Sequence, residues 1–236
     1  MDLSMIKNIF FLLFFYVNAS SASVIMLGTR VIFSSGVQEK TVQFTNTDPN
    51  PYIVEIKLTG EDEHVSTANP FIVVPPVFRI DQHQGQSIRI ISTNVTETLP
   101  RDRESVFYMN FIQIPAVKST DRSQNQLIIT VKNRVKIFYR PEALAGRQSD
   151  AYKSLQFSLT NGKIRVVNPT GFYLSISRAR FVNGKQTVPL ANTVMLAPFS
   201  STEWLVSGSI VSLRGGKILI TQANDYGAYV ENERNL

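Results

Sequence analysis

Residues Gln126–Pro141 read QLIITVKNRVKIFYRP, and the use made of this stretch decides the fold. Leu127, Ile129 and Val131 alternate with Ile128, Thr130 and Lys132, so the first half has strand periodicity with apolar side chains on both faces. The second half sets Lys132, Arg134, Lys136 and Arg140 among β-branched and aromatic residues. Such a strand is either paired on both sides inside a sheet or left at an edge, where it invites pairing with another chain. The residues alone leave both uses open.

The same two-residue period extends outward in both directions. TVQFTN (Thr41–Asn46), YIVEIKL (Tyr52–Leu58), SIRIIS (Ser87–Ser92) and VFYMNFIQI (Val106–Ile114) alternate in the same way, separated by Pro- and Asn/Asp-rich turns such as NTDPNP. In YIVEIKL, Tyr52, Val54, Ile56 and Leu58 share one face, with Glu55 and Lys57 opposite. Helical periodicity is nearly absent, and short strands broken by turns about every ten residues predict an all-β sandwich. After Pro141 the pattern lapses in EALAGRQSDAYKS, which predicts a domain boundary near Pro141–Arg147. It resumes in LQFSLTNGKIRVV, where Asn161-Gly162 has the form of a type I′ hairpin turn. FVNGKQTV repeats Asn-Gly, and IVSLRGGKILI offers Gly215-Gly216 as a third turn.

Composition narrows the function classes. Of 236 residues 43% are hydrophobic and 18% charged, the balance of a globular chain. The net charge of +6 is not gathered into a Lys/Arg run, so it reads as a solvated basic surface and nucleic acid is not an expected partner. Residues 1–23, MDLSMIKNIFFLLFFYVNASSAS, place Lys7 before an apolar run and small residues after it, the layout of a cleaved secretory signal peptide. Nine apolar residues (Ile9–Val17) fall short of the roughly 20 that span a bilayer, so the mature protein is expected to be exported and not membrane-embedded. There is no cysteine, which removes disulfides, thiol catalysis and thiolate metal sites. His64 and His83 stand in polar, turn-like contexts without HExxH spacing. No catalytic residue, metal or cofactor is expected.

Several segments carry a resemblance. LPRDRESVFYMNFIQIP (Leu99–Pro115) resembles the signature of the periplasmic pilus chaperones, the PapD-like family. TRVIF (Thr29–Phe33), KIFYRP (Lys136–Pro141), NPTGFY (Asn168–Tyr173) and NDYG (Asn224–Gly227) also resemble that family's motifs, in its order and across nearly the whole mature chain. The resemblance implies two immunoglobulin-like β-sandwich domains in an L or boomerang arrangement, at residues 24–143 and 144–236 after the signal peptide. It further implies a periplasmic, ATP-independent chaperone that lends an edge strand to pilus or fimbrial subunits and delivers them to an outer-membrane usher. The short Pro115–Leu127 connection and the lack of cysteine resemble the subfamily with a short F1–G1 loop.

By the same resemblance Leu127, Ile129 and Val131 are the donor residues, and Arg30 and Lys136 anchor the subunit's C-terminal carboxylate. Arg89, Glu104 and Asp225 match a charged cluster bridging the two domains. Lys132 and Arg134 are weaker candidates for the subunit-facing surface. Alternation puts Lys136 on the opposite face from Leu127, which predicts a twist or bulge between them. A self-capping homodimer of the free protein is also expected from an exposed apolar edge. The sequence departs from the family at three places: Val74 precedes Pro75-Pro76 where Thr is usual, Lys57 stands where many members carry Trp, and Gly171 replaces a common Pro.

Two other readings fit the sequence less well. A pilus subunit or adhesive domain would normally be one domain with a free N-terminal extension and often a disulfide. A secreted hydrolase needs a nucleophile and base, and neither GxSxG nor a histidine in catalytic context occurs. A glycosidase-like pair at Glu104 and Asp225 is disfavoured because an intervening Arg holds both carboxylates ionised.

Overall fold

The computed structural model describes residues 24–62, 69–116, 127–144, 146–206 and 210–236. The signal peptide read at 1–23, His64, and most of the loop that underlies the subfamily reading lie outside the described residues.

Alternation becomes architecture in the first sandwich. Its strands are β1 (Val24–Met26), β2 (Arg30–Ser34), β3 (Glu39–Asn46), β4 (Tyr52–Thr59), β5 (Phe71–Val74), β6 (Val77–Ile80), β7 (Gly85–Ser92), β8 (Ser105–Pro115) and β9 (Val131–Arg140). They form one sheet ordered β1-β3-β7-β5 and a second ordered β2-β9-β8-β4-β6. Inward side chains of both meet in a core where Phe33 lies 4.8 Å from Phe71 and Phe44 lies 5.1 Å from Phe111, ring centre to ring centre. On β4 the expected face is buried through Val54, Ile56 and Leu58. Lys57 points outward to Glu55 at 2.9 Å, so no core packing is lost where the family carries Trp. The Val74–Pro75 peptide at the β5–β6 turn is cis.

The N-terminal segment serves both sheets. β1 runs antiparallel to β3, the chain then turns at Gly28 (φ +92°), and β2 runs parallel to β9. A φ of that sign is one that glycine adopts without Cβ strain.

The second sandwich holds β10 (Gln156–Thr160), β11 (Lys163–Asn168), β12 (Leu174–Asn183), β13 (Gln186–Leu196), β14 (Ser200–Leu205), β15 (Lys217–Ala223) and β16 (Tyr229–Asn235). Its sheets are ordered β10-β11-β14 and β13-β12-β15-β16. Asn161 and Gly162 both take positive φ between β10 and β11, as the I′ turn requires. The other two turn readings need correction. Asn183 pairs with Gln186 as the last residue of β12, leaving only Gly184 of that Asn-Gly at positive φ. Gly215-Gly216 leads into β15, but Ile210–Leu213 forms no strand. Trp204 is buried beside Phe157 in this domain.

The decisive stretch is likewise shorter as a strand than its alternation predicts. Pairing with β8 begins at Val131↔Gln113, and Leu127–Thr130 are without regular structure. Continued pairing would bring Ile129 opposite Pro115, which has no N–H to donate, and β8 ends there.

Candidate functional site

Along β9 the two edges are treated differently. One edge pairs with β8 from Val131 to Tyr139, whereas β2 covers the other only from Lys136 to Arg140. Val131–Val135 therefore present a free edge among the described residues, and the preceding residues extend it. Leu127 is 87% exposed, Ile129 70% and Val131 46%, so none of the three fills this protein's own core. A row of apolar side chains on an unpaired edge is what soluble proteins ordinarily blunt.

The predicted bulge is absent. The β8–β9 register is unbroken from Val131 onward, so Val131 and Lys136 project from opposite faces. A chain laid along the edge touches both faces at once, and no re-aiming is needed for one ligand to reach both groups. Of the two weaker candidates on the Lys136 face, Arg134 is engaged internally: its guanidinium lies 3.8 Å from the Tyr108 ring centre and donates to the carbonyl of Glu61 at 2.9 Å. Lys132 is exposed.

Arg30 and Lys136 are neighbours across the parallel β2–β9 pair. Arg30 Nη1 makes one long bond, 3.5 Å to the carbonyl of Ala223 in the second domain, and its Nε is buried without an acceptor among the described residues. Burial lowers the pKa of Arg30, with Asp225 opposing. Burial also lowers that of Lys136, reinforced by the charges of Arg30 and Arg134. No carboxylate of the described residues lies within 4.0 Å of either cation. Two half-desolvated cations side by side form a site that an incoming carboxylate would relieve, with the Arg fork and the Lys point charge both suited to it.

The bridging cluster has a different arginine at its centre from the one expected. Arg140, the last residue of β9, donates from Nε to Glu104 at 2.7 Å and bidentately from Nη1 and Nη2 to Asp225, each at 2.7 Å. The buried Glu104 also accepts from the backbone N–H of Tyr173 at 2.7 Å. Arg89 instead lies on the outer face of β7 and pairs with Glu39 at 3.2 Å, both half-exposed. The cause is strand parity: Ile88 and Ile90 face the core, which sends Arg89 to solvent. Parity would also have found Arg140, which shares the even-numbered row of Lys136 and Phe138 facing the second domain. Burial pushes the Glu104 carboxyl up, opposed by Arg140 and the Tyr173 N–H. Burial works against the Arg140 charge too, but its bonds to Asp225 and Glu104 outweigh that and raise its pKa further.

Two glycines let the domains approach closely beside this cluster. A Cβ on Gly171 would stand 2.6 Å from the Asp102 carbonyl oxygen, and Glu104 N–H donates to the Gly171 carbonyl at 2.8 Å. Gly227 (φ +86°) packs against the Thr29 hydroxyl with no room for a side chain. At Gly171 the family's common Pro would not fit this seam.

Two β-sandwiches, an unfinished sheet edge and a cation pair at their junction define a strand-binding protein. Among the described residues no group of three or more His, Asp or Glu side chains converges to hold a metal, and no helix is long and apolar enough to cross a membrane. Residues 23–145 match the pili and flagellar-assembly chaperone PapD N-terminal domain, and residues 150–234 match the PapD C-terminal domain. The chain therefore belongs to the pili-assembly chaperone family, which consists of chaperones and not enzymes. It is 35% identical to the probable fimbrial chaperone YadV of Escherichia coli K12, over 93% of this chain and 92% of that one. It is 33% identical to the chaperone protein MrkB of Klebsiella pneumoniae, over 94% and 95%. The crystal structure of YadV superposes with a TM-score of 0.76 at 32% identity, covering 91% of this chain and all of that one. The Salmonella enterica SafA pilin–SafB chaperone complex gives 0.75 at 25% identity, over 91% and 96%.

Proposed function

We propose that the protein is a periplasmic chaperone for pilus subunits that completes an unfinished subunit with its own strand. The observation that carries this reading is the continuity of the edge: exposed Leu127, Ile129 and Val131 lead into the unpaired side of β9, which ends at the Arg30–Lys136 pair. From Leu127 to Lys136 that edge is about 30 Å long at strand rise, enough to pair with a whole strand. The subunit's backbone pairs with the edge, its groove takes the three apolar side chains, and its terminal carboxylate sits on the two cations. Burying the three side chains contributes roughly 5–8 kcal/mol before the cost of association. The Arg140 cluster fixes the angle between the sandwiches and so the width of the cleft.

Release needs no nucleotide, because a strand from the next subunit can displace the lent one. Delivery to an outer-membrane usher would use a separate surface, and the exposed apolar row Ile53, Val77 and Ile114 on the outer face of β4, β6 and β8 suits one. The free protein would cap its own edge by dimerising, residues 1–23 would direct export, and the short connection after Pro115 would make it a short-loop member.

The test is a pull-down from periplasmic extract of cells expressing the neighbouring subunits. Tagged protein is compared with an Ile129→Asp, Lys136→Ala double variant. A pilin-like protein recovered in equimolar amount with the wild type and lost with the variant is the expected result. Recovery of both forms alone would overturn strand donation.

A further inference from the structure

The second domain contributes a side chain to the cleft that the two cations do not explain. Arg30 reaches across to the carbonyl of Ala223, the last residue of β15. Ala223 is buried, whereas the other residues of its face, Leu219 and Thr221, are partly exposed, and Arg30 of the first domain reaches this end of β15. Directly opposite Ala223 in the β15–β16 register stands Tyr229, with its side chain on the same face. Tyr229 is 68% exposed and its hydroxyl has no partner among the described residues. Tyr229 lies within electrostatic range of Arg30.

We propose that Tyr229 is a third member of the carboxylate site, donating its phenol O–H to the terminal carboxylate of the bound chain. The inference rests on the reading of Arg30 and Lys136 as the carboxylate anchor. A carboxylate offers about four lone-pair positions, so a guanidinium edge that fills two leaves room for the Lys136 ammonium and one further donor. The chemistry also favours a neutral third donor. Arg30 already depresses the pKa of Lys136, and another cation would add to that repulsion, whereas a phenol donates without charge.

The test uses full-length mature protein and a fluorescein-labelled peptide of alternating valine and serine, made as the free acid and as the carboxamide. Wild type is expected to prefer the acid, and Arg30→Ala to lose the preference. Tyr229→Phe keeps the ring and is expected to bind the acid about five- to tenfold more weakly, with carboxamide affinity and Tm unchanged. No preference in the wild type, or a preference surviving Arg30→Ala, overturns the anchor reading itself. A preference lost in Arg30→Ala but intact in Tyr229→Phe overturns the role of Tyr229 alone, as does equal weakening toward both peptides.

Discussion

Lys136 and Arg140 lie four residues apart on one face of one strand, and their surroundings are opposite. Arg140 makes charge-assisted hydrogen bonds to two carboxylates, one of them buried. Lys136 has another cation beside it and no carboxylate of the described residues within 4.0 Å. A buried charge whose partners are internal belongs to the fold, whereas one whose internal neighbours repel it is a candidate for binding an outside group. The same strand thus fastens the two domains at its C-terminal end and, four residues earlier, carries the uncompensated cation that the proposed carboxylate site uses.

The comparison can be broken at either end. Arg140→Met leaves Glu104 buried without its counter-charge and is expected to cost about 3–5 kcal/mol, read as a fall in the urea midpoint. A variant as stable as the wild type would mean that the cluster contributes nothing to the fold. Lys136→Met should act in the other direction on the free protein. Because the folded pKa of Lys136 lies below the unfolded one, the unfolded chain binds more protons between the two values, and stability rises with pH across that window. The cost is therefore fully present below the folded pKa. Urea midpoints at neutral pH should be slightly higher for Lys136→Met than for wild type, and the gap should close as pH climbs toward the lysine range. A gap that widens with pH would show that Lys136 is favourably paired in the free state. Arg89→Ala sharpens the contrast by doing little: an exposed pair is worth about 0–1 kcal/mol, so its midpoint should sit within error of a small loss. A loss as large as that of Arg140→Met would return Arg89 to the interdomain cluster.

Local alternation carried most of the fold in the sequence. Val54, Ile56 and Leu58 on β4 and the Asn161-Gly162 turn follow from side-chain period and turn chemistry over a few residues. Failures arose where a distant segment decides. The start of β9 depends on Pro115 in β8, not on the pattern of Leu127–Thr130. Ile210–Leu213 has the composition of a strand but finds no partner to pair with. That Arg30 and Lys136 belong together is legible through the motifs TRVIF and KIFYRP, and the β2–β9 pair makes them neighbours. Arg140 was overlooked although it stands in the second of them, since two carboxylates from residues 104 and 225 converge on it only in three dimensions. Tyr229 left no local mark, because its place depends on its pairing with Ala223 and on the reach of Arg30.

Gly171 and Gly227 set the seam by close approach, the first against the Asp102 carbonyl and the Leu144 side chain, the second against the Thr29 side chain. A wider or narrower opening could then not be reached by trading one residue for a slightly larger one. Any bulk at residue 171 pushes on a carbonyl oxygen, and any bulk at residue 227 strains a left-handed turn. Substitutions that leave the seam intact are thereby confined to the exposed edge of β9 and the rim of the cleft, and the aperture keeps its width.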